Sequence, residues 1–90
     1  MFVTKQWTVA ISIDEEPDDR ATTARARLRC DDGYNFTAHG SATRFPRDPE
    51  LPAVGDDLAV ARSLDDLAQQ LKSSAYETIA DMEGPGWDNW

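Results

Sequence analysis

Three stretches of this chain alternate strictly between apolar and polar side chains. In the first, Trp7, Val9, Ile11 and Ile13 are apolar while Gln6, Thr8 and Ser12 are polar. A period of two over that length predicts a half-buried strand. The acidic stretch Asp14-Glu15-Glu16-Pro17-Asp18-Asp19 should end that strand and form a loop. In the second stretch Ala24, Ala26, Leu28 and Cys30 share one face, and Thr23, Arg25, Arg27 and Arg29 share the other. In the third, Tyr34, Phe36, Ala38, Gly40 and Ala42 alternate with Asn35, Thr37, His39, Ser41 and Thr43.

The turn between the second and third stretches can be chosen by register. A two-residue loop, Asp32-Gly33, would set Arg29 against Phe36 and Leu28 against Thr37, mixing the two faces. A three-residue loop, Asp31-Asp32-Gly33, pairs Cys30 with Tyr34, Leu28 with Phe36 and Ala26 with Ala38. A slip of one residue turns a whole strand over, so the three-residue loop is expected, with Gly33 left-handed. The polar face then pairs Arg29 with Asn35, Arg27 with Thr37 and Arg25 with His39.

Phe45 to Pro52 carries Pro46, Pro49 and Pro52 and reads as a connector. After Gly55 the period changes. Leu58, Ala61, Leu64, Leu67, Ala68, Leu71 and Ala75 recur at three and four, the mark of an amphipathic helix. Asp56 and Asp57 suit its N-terminus by capping and by dipole. Ser73-Ser74 is a candidate break, and Ser74 with Glu77 forms a capping box for a second short helix ending near Glu83. Gly84-Pro85-Gly86 is a stop signal. The predicted fold is α+β: a three-stranded antiparallel β-meander followed by one long and one short C-terminal helix. Residues 1–83 form a single domain, and 84–90 a flexible tail whose Trp87 and Trp90 are candidate anchors for a partner or the sheet edge.

Charge sharpens this picture. The ninety residues carry a net charge of −8, but not evenly. Residues 20–47 hold Arg20, Arg25, Arg27, Arg29, Arg44 and Arg47 against only Asp31 and Asp32, a local balance of about +4, and the remainder stands at about −12. The length suits one domain with one core. A single cysteine, Cys30, allows no internal disulfide. With no apolar targeting segment and no run approaching the roughly 18 apolar residues of a membrane span, a cytoplasmic protein without membrane contact is expected.

Several chemistries lack their residues. Metal binding needs converging His, Cys, Asp or Glu, and the alternation places His39 and Cys30 on opposite faces of the sheet. Nucleophilic catalysis needs a base beside a nucleophile; His39 is the only histidine and no nucleophile motif surrounds it. The paired carboxylates sit where solvation or capping explains them. No phosphate-binding glycine loop is present. The expectation is no catalytic residue, no metal and no cofactor.

The candidate binding residues are Arg25, Arg27, Arg29 and His39. Arginines at spacing two stand about 6–7 Å apart on one strand, close to the phosphate spacing along a nucleic-acid strand. The same stripe could equally be a solvated face paired to the Asp14–Asp19 loop. It could also be an interface with an acidic protein or a second copy. No aromatic residue interleaves with the arginines on that face, unlike the stacking platforms of single-strand readers.

Three blocks of the chain carry a family resemblance: Gln6 to Glu15, Thr23 to Arg29, and Gly55 to Leu67. Together, and in that order, they resemble an actinobacterial family of short proteins of unknown function with a double-stranded-RNA-binding-like fold. The resemblance implies a small homodimeric β-β-β-α protein. It implies a stress or dormancy role, since mycobacterial members are linked to dormancy and one has been likened to ribosome hibernation factors. Association with ribosomes or RNA is the function it suggests. Unlike a true double-stranded-RNA-binding domain, this chain shows no helix before its first strand and no basic cluster at the start of its last helix.

Overall fold

The computed structural model describes residues 1–49 and 51–82. Strand β1 spans Thr8–Glu16, a single turn of 3-10 helix follows at Pro17–Asp19, and β2 spans Ala21–Arg29. Strand β3 spans Asn35–Thr43, and a 30-residue helix, α1, spans Pro52–Asp81. The sheet is an antiparallel meander in the order β1-β2-β3.

The hairpin register follows the expected face matching. Leu28 lies opposite Phe36, Ala26 opposite Ala38 and Ala24 opposite Gly40. The turn closes with the Cys30 amide donating to the Tyr34 carbonyl at 3.0 Å, and the Gly33 amide to the Cys30 carbonyl at 3.3 Å. Gly33 has φ +89°, the left-handed region the three-residue loop requires.

Three expectations need correction. Asp14, Glu15 and Glu16 are strand, not loop: they pair with Thr23, Thr22 and Ala21. Nine cross-strand pairs carry the strand through to Pro17, where the proline ends the ladder. The helix begins at Pro52, inside the presumed connector, with Leu51 as N-cap and no side-chain cap. Proline fits the first helical position, since its missing N–H has no intrahelical acceptor there. Asp56 and Asp57 therefore lie past the first turn and do not cap. The break at Ser73-Ser74 is absent, and α1 is one unbroken helix. The Ser74 carbonyl accepts the Thr78 hydroxyl at 3.1 Å within the helix, and serine in a helix costs only about 0.5 kcal/mol. The assigned end of the second helix at Glu83, and the 84–90 tail, lie outside the described residues.

The helix does not cover the whole apolar face. Ala59, Ser63 and Leu67 are its buried residues; Leu67 packs with Ala26, Leu28, Cys30 and Ala38, Ala59 packs with Ala24 and Ala42, and the Ser63 backbone lies against Gly40. These are mostly small residues, so α1 sinks close to the sheet over β2 and β3. Val9, Ile11 and Ile13, on the same face of β1, remain 40–42% exposed. A helix about 10 Å across spans two strands set about 4.8 Å apart, not three.

The closest approach is at Gly40. A Cβ there would fall 2.7 Å from the Arg62 carbonyl carbon, and nearer still to the Ser63 amide nitrogen and the Ala59 oxygen. Ser63 is fully buried, its hydroxyl donating to the Val60 carbonyl at 2.7 Å. Helix and strand backbones must separate to admit even a methyl group. Gly40→Ala is therefore expected to destabilise the fold by about 3 kcal/mol or more, the upper end of overpacking costs, read as a lower midpoint in urea unfolding.

Candidate functional site

Among the described residues, no element covers the second face of the sheet. It presents Thr8, Ala10, Ser12, Asp14 and Glu16 from β1, Ala21, Thr23, Arg25, Arg27 and Arg29 from β2, and Asn35, Thr37, His39, Ser41 and Thr43 from β3. The pleat puts them there: each is out of phase with the buried Ala24, Ala26, Leu28, Ala38 and Ala42. All four sequence-predicted residues, Arg25, Arg27, Arg29 and His39, are exposed on this one face. Arg25 lies opposite His39, Arg27 opposite Thr37 and Arg29 opposite Asn35.

The stripe is electrostatically graded. On β1, Arg29 faces Thr8, Arg27 faces Ala10 and Arg25 faces Ser12. Asp14 faces Thr23, one step beyond Arg25 on the same side, and Glu16 faces Ala21. The β1 carboxylates thus gather at one end. The Arg27–Arg29 end has only neutral cross-strand neighbours, and an open cavity of about 330 Å³ lies there, lined in part by Thr8, Ala10, Asn35 and Thr37.

The edges of the sheet differ. Arg62, Asp66 and Gln70, one turn apart on α1, reach over the outer edge of β3. Arg62 Nη1 donates to the Ser41 carbonyl at 2.7 Å, the His39 amide donates to Asp66 Oδ2 at 3.1 Å, and Gln70 Nε2 donates to the Thr37 carbonyl at 2.9 Å. These bonds occupy groups that would otherwise invite another strand. The β1 edge is a terminal edge of the sheet, flanked by the exposed apolar row Trp7, Val9, Ile11 and Ile13. Sequence reasoning missed the α1 clamp, although polar residues at i, i+4 and i+8 flanking the buried stripe were a readable signal.

Other groups are chemically quiet. Cys30 is buried in the core. Burial, and then the Asp32 and Asp31 charges, push its thiol up from the ordinary value, away from thiolate reactivity. Cys30 and His39 lie on opposite faces of the sheet, and among the described residues no three His, Cys, Asp or Glu side chains group as metal ligands. No described helix is long and apolar enough to cross a membrane.

One acidic pair was invisible in the sequence. Glu15 projects from the helix side of β1 beside Asp56 of α1. Asp56 Oδ1 is buried with no hydrogen-bond donor. The neighbouring Asp56 carboxylate, as an acceptor and then as a charge, and then burial hold the Glu15 carboxyl above its ordinary value of 4.5. A raised native value means the folded chain binds this proton more tightly than the unfolded chain. The pair therefore contributes its stability below about pH 4.5, and that contribution is lost as pH rises through the native value. Asp56→Asn supplies an amide donor to ionised Glu15. Melting temperatures followed from pH 4 to 7 are expected to fall less steeply toward neutrality in that variant than in the parent chain.

Residues 5–86 match the Rv2632c-like family. The uncharacterized protein MT1780 of Mycobacterium tuberculosis is 42% identical over 79 residues, covering 87% of this chain and 81% of its own. The uncharacterized protein Rv2632c of the same species is 41% identical over 64 residues, covering 71% and 68%. The crystal structure of Rv2632c superposes with a TM-score of 0.77 at 34% identity, over 93% of this chain and 98% of that one. The chain belongs to the Rv2632c-like family.

Proposed function

We propose that this member of the Rv2632c-like family is a non-enzymatic, cytoplasmic accessory protein of the stress or dormancy type, contacting ribosomal or other RNA through its arginine-striped sheet face. The observation that supports this reading most is the uncovered face itself. Arg25, Arg27 and Arg29 stand exposed in one row, on a chain whose remaining charge is strongly negative. Positive charge kept in one place on an acidic protein suits one polarised contact rather than general adhesion to polyanions. The neighbouring Thr37, Asn35, Ser41 and His39 add hydrogen-bonding groups suited to phosphate and ribose oxygens. We read the sheet-and-helix arrangement as double-stranded-RNA-binding-like, and take the resemblance of one mycobacterial member to ribosome hibernation factors as extending to this chain.

A second reading has its own support. The row Trp7, Val9, Ile11 and Ile13 is apolar, exposed and next to a terminal strand edge, the setting of a protein interface or of strand addition. On this reading the chain is a homodimerisation or protein-binding module, and the arginines meet acidic protein surface.

Two variants separate the readings. Triple replacement of Arg25, Arg27 and Arg29 by Ala is expected to abolish co-sedimentation with ribosomes at low and moderate salt, leaving the mass seen by light scattering unchanged. Ile11→Lys is expected to halve that mass. Unchanged ribosome association in the triple variant would remove the RNA reading. A triple variant that becomes monomeric would make the arginines part of the subunit contact instead.

A further inference from the structure

The arginine face is uneven, and its unevenness assigns a subsite. Ala10 lies between Thr8 and Ser12 on β1 and opposite Arg27 on β2. It is the smallest side chain in its cross-strand row, which continues to Thr37 on β3. Its missing bulk leaves the open cavity of about 330 Å³ bordered by Arg27, Arg29, Thr8, Asn35 and Thr37, at the small end of the range for ligand pockets, roughly 300–1,000 Å³. Every polar side chain on that border is cationic or neutral. The carboxylates nearest in sequence, Asp31 and Asp32, are engaged within the turn region. Asp31 Oδ1 accepts the Trp7 indole N–H at 3.2 Å, and Asp32 Oδ1 accepts the Tyr34 amide at 3.1 Å. Arg25, by contrast, has Asp14 one step away on the neighbouring strand.

We propose that the notch floored by Ala10 between Arg27 and Arg29 is a phosphate-group site, taking one backbone phosphodiester of an RNA strand. The ligand class rests on the RNA reading above; the placement rests on the notch. Two guanidiniums about 6–7 Å apart along one strand can each present parallel N–H donors to one tetrahedral anion held between them. The Thr8 and Thr37 hydroxyls and the Asn35 amide lie around the remaining oxygens. Arg25 attracts the same strand at longer range, with its charge partly offset by Asp14. The notch, not the number of arginines, then sets the affinity.

The test uses the full chain and two probes. One is a fluorescein-labelled uridine octamer followed by anisotropy. The other is inorganic phosphate followed by the line width of its phosphorus resonance. Arg27→Ala and Arg29→Ala are each expected to weaken octamer binding by about tenfold or more, the loss of a charge-assisted contact. Arg25→Ala should weaken it by only about threefold, as expected for a longer-range charge. Ala10→Leu keeps every arginine and fills the notch, and should weaken both probes by about tenfold or more; Ala10→Val serves if the leucine variant does not fold. Octamer binding that survives Ala10→Leu while the arginine variants lose it would overturn the notch and leave the RNA reading standing. Phosphate binding that is lost in Ala10→Leu, with no octamer binding by the parent chain, would support the notch and remove the RNA reading. An equal loss for all three single arginine variants would overturn the subsite, as would failure of both probes to bind.

Discussion

The approach of α1 to β3 at Gly40 decides what this molecule exposes. Backbone meets backbone there, with only Ala59 and Ser63 between, and no side chain larger than hydrogen fits at position 40. The neighbouring Ala24, Ala26, Ala38 and Ala42 continue the same low surface. A helix seated that deeply cannot also lie over β1, where Val9, Ile11 and Ile13 stand higher. Close packing of small residues recovers dispersion contacts that bulky residues would otherwise supply, and it fixes the helix to one side of the sheet.

That placement gives the two edges of the sheet different fates. At β3, Arg62, Asp66 and Gln70 reach the strand's outer carbonyl and amide groups, which discourages pairing with another chain. At β1 the apolar row is left half covered. From Lys72 to Thr78 the helix is exposed all round, and the radius of gyration, 17.5 Å, exceeds the roughly 12 Å expected for a compact chain of this length. Among the described residues, the apolar surface left open therefore falls on β1 and the free part of α1, while the arginines occupy the opposite sheet face. A second copy could use the first surface without covering the second.

The hairpin was the most legible part of the sequence. Alternation fixed which residues of β2 and β3 share a face, and face matching then selected the three-residue turn, with Gly33 at φ +89°. The arginine face followed from the same pattern, because side-chain direction in a strand is set by parity alone. Helix boundaries were less legible. Asp56-Asp57 and Ser73-Ser74 look like capping and breaking signals, yet Pro52 starts the helix earlier and the backbone ladder runs through both serines. Local signals of a few tenths to about 1 kcal/mol yield to a continuous hydrogen-bond ladder. The Glu15–Asp56 pair and the Ala10 notch join residues distant in sequence. Their chemistry appears only once the register of β1 and the path of α1 are known.

On the proposed function, the open sheet face and not the helix is the working surface. Amide chemical shifts of the nitrogen-15-labelled full chain, titrated with short single-stranded RNA, test it directly. The expected shifts are confined to Thr8 to Ser12, Arg25 to Arg29 and Asn35 to His39, and are largest around Ala10, Arg27 and Arg29. Shifts centred on the exposed side of α1, around Asp57, Asp65 and Tyr76, would contradict it.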